Sequence, residues 1–211
     1  MSLHIPDGIL SPQVWITGDV LAAGALAACV RRASMRLSDR QVPLMGVMGA
    51  FVFAAQMVNF PVPGGTSGHL LGGVLLAVLL GPATAGVVLF CVFLVQALLF
   101  QDGGVTALGM NLINMGLVGC FGGFYLMRVL AGKSRGMRRD VAVFFACWFS
   151  VVVGAVLAAL ELWLSGSAPL GPMLIAMGGV HALIGIGEGL ITVATLRFLL
   201  AARPDLMESL P

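Results

Sequence analysis

The chain has 211 residues, of which 59% are hydrophobic and only 9% are charged. A soluble domain carries about 25% charged residues, so this composition excludes a water-soluble globular protein and predicts one embedded in a lipid bilayer. The formal net charge of +2 gives no reason to expect nucleic acid as a partner, and no polar linker divides the chain, which predicts a single domain over residues 1–211.

The chain begins with a polar head, residues 1–10, which contrasts with the apolar remainder. Its terminal amine, the following backbone amides and the imidazole of His4 offer several nitrogen ligands within a few residues. That combination can hold a divalent transition metal. A frayed N-terminus with an incidental histidine is the alternative interpretation.

The ligand set depends on how the N-terminus is processed. Met1 is followed by the small residue Ser2, so removal of the initiator methionine is expected. The amine of Ser2, the amides of Leu3 and His4 and the His4 ring can then surround a metal in one plane. Planar nitrogen sets suit Ni(II) and Cu(II) better than Zn(II), Mg(II) or Mn(II). Both amides must lose a proton, so metal affinity is expected to fall steeply at low pH.

Seven apolar runs dominate the chain, and runs near 20 residues predict membrane-spanning helices. They cover residues 12–30, 41–58, 69–81, 83–100, 106–130, 140–164 and 173–202. The third run is short, and Gly81-Pro82 predicts a tight turn between it and the fourth. The predicted fold is therefore all-α, a polytopic bundle of seven transmembrane helices.

The basic residues predict the orientation of this bundle. They fall in four places, namely Arg31, Arg32, Arg36 and Arg40; Arg128, Lys133, Arg135, Arg138 and Arg139; Arg197; and Arg203. With seven spans and the N-terminus outside, every one of them lies on the cytoplasmic side, as the positive-inside rule requires. The outer side then holds the head and the loops 59–68, 101–104 and 165–172, which carry no Lys or Arg and do not repel a cation.

His69 follows the outer loop 59–68 and is expected on the same side and at a similar depth as His4. A ligating side chain near the membrane is a functional candidate because its burial is costly, and a solvated loop histidine is the alternative. Several polar side chains could orient the two imidazoles, although each is also common in turns and caps. They are Asp7, Thr66, Ser67, Gln101 and Asp102.

His181 and Glu188 lie seven residues apart on one face of the last helix. The pair could relay protons, form a transit site for an ion or make a structural contact between helices. Two other classes of protein therefore stay open. One is a membrane-embedded metalloenzyme that binds zinc through the three histidines, and the other is a proton-coupled secondary transporter.

Five groups of residues carry a family resemblance. They are His4-Ile5-Pro6-Asp7-Gly8, Pro63-Gly64-Gly65-Thr66-Ser67-Gly68-His69, Gln101-Asp102-Gly103-Gly104-Val105-Thr106-Ala107-Leu108-Gly109, the pair Asn111 and Asn114, and residues 181–189. On these residues the chain resembles the CbiM/NikM family, the substrate-capture membrane subunits of energy-coupling-factor transporters for cobalt and nickel. The resemblance covers nearly the whole chain.

The resemblance implies seven helices, an outside N-terminus, and Ni(II) or Co(II) as the transported substrate. The metal is held by the N-terminal amine, backbone nitrogen and two histidines, by position His4 and His69, and Asn111, His181 and Glu188 are candidates to support it. The implied partners are a membrane coupling subunit, cytoplasmic ATPase subunits and often a small additional membrane subunit. The chain itself is therefore not expected to be an enzyme, and its expected location is the inner or plasma membrane of a prokaryote.

One feature departs from the family pattern. Family members typically begin Met-His, whereas Ser2 and Leu3 precede the histidine here. With Met1 retained, the amine–amide–imidazole chelate of the family has the wrong ring sizes, and with Met1 removed a planar terminal chelate becomes possible.

Loop 59–68 is expected to be the gate of the site.

Overall fold

The computed structural model of the protein describes residues 3–35, 37, 41–58, 60–62, 66–132, 134 and 136–204, with the backbone alone at 60–62, 66 and 67. These ranges are almost entirely helical. The α-helices are α1 (Pro12–Ser34), α2 (Gln41–Met57), α3 (Gly73–Leu80), α4 (Pro82–Val95), α5 (Leu108–Asn111), α6 (Phe124–Ala131), α7 (Met137–Leu164) and α8 (Leu170–Ala202). A π-helical turn, Gln96–Phe100, extends α4, and a π-helix, Leu112–Gly123, joins α5 to α6 without a break.

These elements form seven helical segments, which confirms the predicted number. In the part of the chain that the structure describes, five are long and apolar enough to cross a membrane: Pro12–Ser34, Pro82–Phe100, Leu108–Ala131, Met137–Leu164 and Leu170–Ala202. Helix α2 has 17 residues and is about 25 Å long, close to the roughly 30 Å of a bilayer's hydrocarbon core. The chain is a multi-pass membrane protein.

Helix α3 corrects the bounds of the third predicted span. It has eight residues, all buried, and is about 12 Å long, too short to cross a bilayer alone. The predicted start at residue 69 is wrong because residues 69–72 are not helical. Gly72 has a φ of 77°, a left-handed conformation that glycine adopts without strain, and it is the N-cap residue that precedes α3. The predicted turn is confirmed, since Gly81 ends α3 and Pro82 begins α4.

A short hairpin adds to the predicted all-α fold. Strand β1 (Phe60–Val62) pairs antiparallel with β2 (Thr66–Gly68), with Phe60 opposite Gly68. The hairpin lies within loop 59–68, whose residues 59 and 63–65 fall outside the described ranges. It leads directly into His69, so the connection between the hairpin and α3 carries the second candidate ligand.

The two ends of the bundle differ in charge. At one end, the head end, residues 3–10 contact the loops 101–107 and 165–169, through bonds such as those from Gly104 N–H to Ile5 O and from Ser167 Oγ to Ile9 O. At the opposite end lie all the described basic residues, Arg31, Arg32, Arg128, Arg138, Arg139, Arg197 and Arg203. The structure thus places the described members of the basic clusters at one end, as the sequence predicts.

The approach of α3 to the π-helix generates a prediction about stability. A Cβ added at Gly119 would lie 3.1 Å from Cα of Gly73, so Gly119→Ala must separate two backbones. We expect it to destabilise the protein by about 1–3 kcal/mol, as overpacking does, and to lower the thermal unfolding temperature in detergent.

Gly187→Ala is the matched control for this substitution. Gly187 lies in α8, and a Cβ there would meet nothing within 4 Å. Because alanine is the better helix former, this variant should unfold at the wild-type temperature or slightly above it. Equal losses of stability in the two variants would contradict the close packing of Gly119 against Gly73.

Candidate metal centre

The imidazoles of His4 and His69 lie side by side at the head end. Their ring centroids are 4.8 Å apart and their planes are inclined at 63°. Both are buried, with 6% and 5% of their surface exposed, and the ring of Phe93 lies at 5.8 Å from His4, nearly perpendicular to it. The fold therefore brings together a histidine of the head and the histidine that precedes α3.

Each imidazole has a carbonyl oxygen close to Nδ1. His69 Nδ1 lies 3.0 Å from the oxygen of Leu70, and because a carbonyl only accepts, Nδ1 carries the proton and Nε2 the lone pair. His4 Nδ1 lies 3.3 Å from the carbonyl oxygen of Asp102 and 3.7 Å from its Oδ1. Burial, and then the neighbouring His69, lower the pKa of His4 from 6.5 to about 4. The ring is therefore neutral at physiological pH, the form in which histidine binds metals.

Asn111 fixes the backbone next to His4. Its Oδ1 accepts a hydrogen bond from Ile5 N–H at 2.9 Å, and its Nδ2 donates to Ile5 O at 3.0 Å. Gly104 N–H donates to the same carbonyl at 2.8 Å. Ile5 and Asn111 are both buried, so the residue that follows His4 has both of its backbone polar groups bonded away from water.

Asp7 ties the head to the loop that precedes α5. Its carboxylate accepts hydrogen bonds from Thr106 N–H at 2.7 Å, from Val105 N–H at 3.1 Å and from the hydroxyl of Thr106. The Thr106 hydroxyl is the main reason that the pKa of Asp7 lies below its usual 3.8; desolvation acts in the opposite direction, and the backbone N–H groups of Thr106 and Val105 lower the pKa further. Asp7 thus anchors the head instead of orienting an imidazole directly.

The glycines of the 101–107 loop let the head approach closely. A Cβ at Gly104 would overlap the backbone and carboxylate of Asp7, and one at Gly103, where φ is 91°, would come within 3.2 Å of His4 Nδ1. Gln101 is exposed and has a φ of 54° at the end of the π-helical turn. Its position is explained by the backbone turn, whereas Asp102 does lie against His4.

His181 and Glu188 are both buried, but their hydrogen bonds in the described part of the chain go to backbone groups. Nδ1 of His181 lies 2.7 Å from Met177 O on its own helix. The Glu188 carboxylate accepts from Leu71 N–H at 2.7 Å and from Gly72 N–H at 2.9 Å. Glu188 therefore contacts the segment that carries His69, and the shared helix face did not reveal this partner.

Comparison with known proteins decides the family. The model of the family described as CbiM, cobalt uptake substrate-specific transmembrane region, matches residues 4–206. This chain belongs to the CbiM family. A relative from Archaeoglobus fulgidus, named as a fused nickel transport protein NikMN, is 38% identical over 208 residues, which make up 98% of this chain and 68% of that protein.

Two further comparisons agree with this assignment. The cobalt transport protein CbiM of Sorangium cellulosum is 34% identical over 220 residues. The alignment covers 99% of this chain and 96% of that protein. A crystal structure described as a transition metal transporter superposes with a TM-score of 0.86 at 30% identity, covering 95% of this chain and 94% of its own. The protein is thus a membrane transport component and not an enzyme.

The CbiM-family chain offers few side chains for a metal at this place. Among the residues that the structure describes, no group of three or more His, Cys, Asp or Glu side chains is placed to hold a metal ion. The other ligands predicted from the sequence are backbone nitrogen and the terminal amine. Leu3 is buried beside His4, while Met1 and Ser2, and the side chains of Thr66 and Ser67, lie outside the described residues.

Two glutamines near the site escaped the sequence analysis of this CbiM-family protein. Gln56 and Gln96 are completely buried, and Gln96 Nε2 donates to Gln56 Oε1 at 2.9 Å. Gln56 Nε2 donates in turn to Leu71 O at 2.8 Å. A polar side chain within an apolar run was the available signal, because burial of such groups in a membrane protein is costly.

The anchoring of the head by Asp7 generates a prediction about pH. The lowered pKa means that the carboxylate stabilises the folded head above its usual pKa of 3.8, and that this contribution is lost as the pH falls through the lower, folded value. Asp7→Asn removes it at all pH values. We expect several-fold faster amide hydrogen exchange at Thr106 in this variant at neutral pH, after correction for the intrinsic exchange rate.

Asp140→Asn is the control, because Asp140 pairs with Arg197 at the opposite end of the bundle. In Asp140→Asn, the rate of amide hydrogen exchange at Thr106 should equal that of the wild type. If Asp7→Asn also exchanges like the wild type at neutral pH, the carboxylate does not anchor the head.

Proposed function

We propose that this chain is the substrate-binding membrane subunit of an ATP-driven energy-coupling-factor importer that captures Ni(II) or Co(II). The observation that carries the proposal is the pair of buried imidazoles, 4.8 Å apart, in a chain of the CbiM family. The relatives named for nickel and for cobalt support these two metals as the transported substrate.

The proposed ligands are the imidazoles of His4 and His69 with nitrogens from the N-terminal residues Met1, Ser2 and Leu3. Removal of Met1 puts the histidine third, so that successive nitrogens can lie in one plane. A deprotonated amide of His4 closes a small chelate ring only with Nδ1 of the same residue. Metal binding in this mode then replaces the contact between Nδ1 and the Asp102 carbonyl, whereas His69 offers Nε2 without breaking its bond to Leu70.

The proposed orientation has the head end outside and the basic end in the cytoplasm. The collection of the described Arg residues at one end of the bundle supports it, through the positive-inside rule. A metal arriving from outside then meets the site at the head end, where no basic side chain is described.

The proposed partners are a membrane coupling subunit and cytoplasmic ATPase subunits, with a small additional membrane subunit. The resemblance to energy-coupling-factor transporters supports them. The fused NikMN relative is longer than this chain, which covers 68% of it. Uptake that persists without any ATPase partner would instead favour a proton-coupled transporter.

The ligand set is tested by exchanging each histidine. His4→Ala and His69→Ala should each remove most of the Ni(II) or Co(II) that co-purifies with the wild-type protein, because each takes away an imidazole that backbone nitrogen cannot replace. Elemental analysis measures the metal, and intact mass shows whether Met1 is present.

Ser150→Ala is the matched control, since Ser150 is also buried and its hydroxyl donates to the Cys147 carbonyl of its own helix. It should retain the metal. Unchanged metal content in both His4→Ala and His69→Ala would rule out the proposed site.

Loop 59–68 is the proposed gate of the site, because the β1–β2 hairpin leads directly into His69. A covalent cross-link between the head and this loop should stop uptake into cells that contain all the subunits, while metal binding to the purified protein persists. A cross-linked transporter that takes up metal at the normal rate would show that the hairpin is not the gate.

A further inference from the structure

Residues 69–72 run into the bundle in a non-helical conformation, between β2 and α3. Polar backbone groups in a membrane interior must be bonded within the protein. Two successive peptide units of this segment, Leu70–Leu71 and Leu71–Gly72, are bonded at both of their polar edges. The partners of the four groups explain how the segment is held.

Glu188 of α8 bonds the N–H edge of both peptide units. Its Oε2 accepts from Leu71 N–H at 2.7 Å and its Oε1 accepts from Gly72 N–H at 2.9 Å. The side chain is 3% exposed, and since each oxygen has its own donor, the carboxylate has one orientation. It also lies at the N-terminus of α3, where the helix dipole favours an anion.

The carbonyl edge of the first unit contacts His69. Leu70 O lies 3.0 Å from Nδ1 of His69. A continuous path therefore runs from the Glu188 carboxylate through the N–H of Leu71 and the C=O of Leu70 to the imidazole N–H. Hydrogen bonds in such a chain polarise one another, so the carboxylate strengthens the bond that keeps the proton on Nδ1 and the lone pair on Nε2.

The carbonyl edge of the second unit is held by the buried glutamine pair. Leu71 O accepts a hydrogen bond from Gln56 Nε2 at 2.8 Å, and Gln96 Nε2 donates to Gln56 Oε1 at 2.9 Å. Because Gln96 donates to the oxygen of Gln56, the amide of Gln56 can only present its N–H to Leu71. Helices α2 and α8 and the π-helical turn after α4 thus converge on one short segment.

We propose that Glu188, supported by Gln56 and Gln96, is a positioning residue for His69. It sets the tautomer and the direction of the imidazole through the Leu70–Leu71 peptide and does not touch the metal. Carboxylates that orient metal-binding histidines usually bond the ring directly; here one peptide unit lies between them. The inference rests on the proposed function, because it requires His69 to be a ligand.

The first test uses the metal-free wild-type protein labelled with isotopic nitrogen in its histidines. Nitrogen chemical shifts, with the His69 signals assigned from their absence in His69→Gln, give the tautomer at neutral pH. We expect the proton of His69 on Nδ1. A proton on Nε2 would overturn the inference, and this measurement requires no variant of Glu188 to fold.

The second test compares Ni(II) binding to Glu188→Gln and Gln56→Leu with binding to the wild type. An amide at position 188 must point N–H groups at the N–H of Leu71 or Gly72, so Glu188→Gln should weaken binding about 10–100-fold, as loss of a group that orients a ligand does. The visible absorption spectrum of the bound Ni(II) should also differ from that of the wild type. Gln56→Leu should also weaken Ni(II) binding and change the absorption spectrum in the same direction as Glu188→Gln.

Thr192→Val and Met48→Leu are the matched controls. Thr192 lies one turn beyond Glu188 on α8, and its hydroxyl makes no hydrogen bond to residues 69–72; Met48 is buried two turns before Gln56 on α2. Both should bind Ni(II) with wild-type affinity and spectrum. Thermal unfolding is measured for every variant. If Glu188→Gln does not fold, the inference is tested by Ni(II) binding to Gln56→Leu and by the tautomer of His69 in the wild-type protein.

The outcomes separate this inference from the proposed function. If His69→Ala loses the metal but Glu188→Gln and Gln56→Leu keep wild-type affinity and spectrum, the inference is overturned and the proposed function stands. If neither His4→Ala nor His69→Ala affects the metal, the proposed function itself fails, and the positioning role fails with it.

Discussion

The arrangement of the two histidines depends on one constraint, that polar backbone removed from water must find its hydrogen bonds within the protein. Both histidines lie in non-helical segments, the head and residues 69–72, which cannot bond themselves as a helix does. In each case a side chain from a distant helix bonds the backbone beside the histidine. Asn111 bonds both polar groups of Ile5, and Glu188 bonds two successive amides after Leu70.

Close backbone packing makes this arrangement possible. Helix α3 is short and entirely buried, and Gly73 and Gly119 let it lie against the π-helix. Because α3 begins well inside the bundle, the segment before it brings His69 beneath the head. Because Gly103 and Gly104 have no side chains, the 101–107 loop can lie directly against the head.

The sequence predicts the features that depend on hydrophobicity and charge along the chain. Seven helical segments, the turn at Gly81-Pro82 and the collection of basic residues at one end all follow from runs and clusters that lie close in sequence. The start of α3 does not, because Leu70 and Leu71 are as apolar as the helix that follows. The left-handed conformation of Gly72 and the tertiary bonds to Glu188 and Gln56 distinguish the non-helical segment.

The candidate site is predictable to a similar degree. His4 and His69 are found as the histidines expected at one membrane surface, but the groups that hold them are not. Gln56 and Gln96 have each other and Leu71 as partners, and no spacing in the sequence relates residues of two separate helical segments and a non-helical one. The spacing of His181 and Glu188 correctly indicates a shared helix face, yet the bonds of Glu188 are set by what packs against that face.

The acidic side chains around the candidate site bear on which metal it favours. Asp7 and Glu188 accept backbone N–H groups, Asp19 accepts from Gly109 N–H, and Glu161 accepts from Asn114. Carboxylate oxygens are what Mg(II) and Ca(II) prefer, and the fold uses these four to bond the protein to itself. The Asp102 carboxylate also lies 3.7 Å from His4 Nδ1, while the proposed ligands are neutral imidazoles and backbone nitrogens, which favour later transition metals such as nickel. In the proposed site, the use of these four carboxylates to anchor the protein to itself would thus disfavour the hard divalent cations.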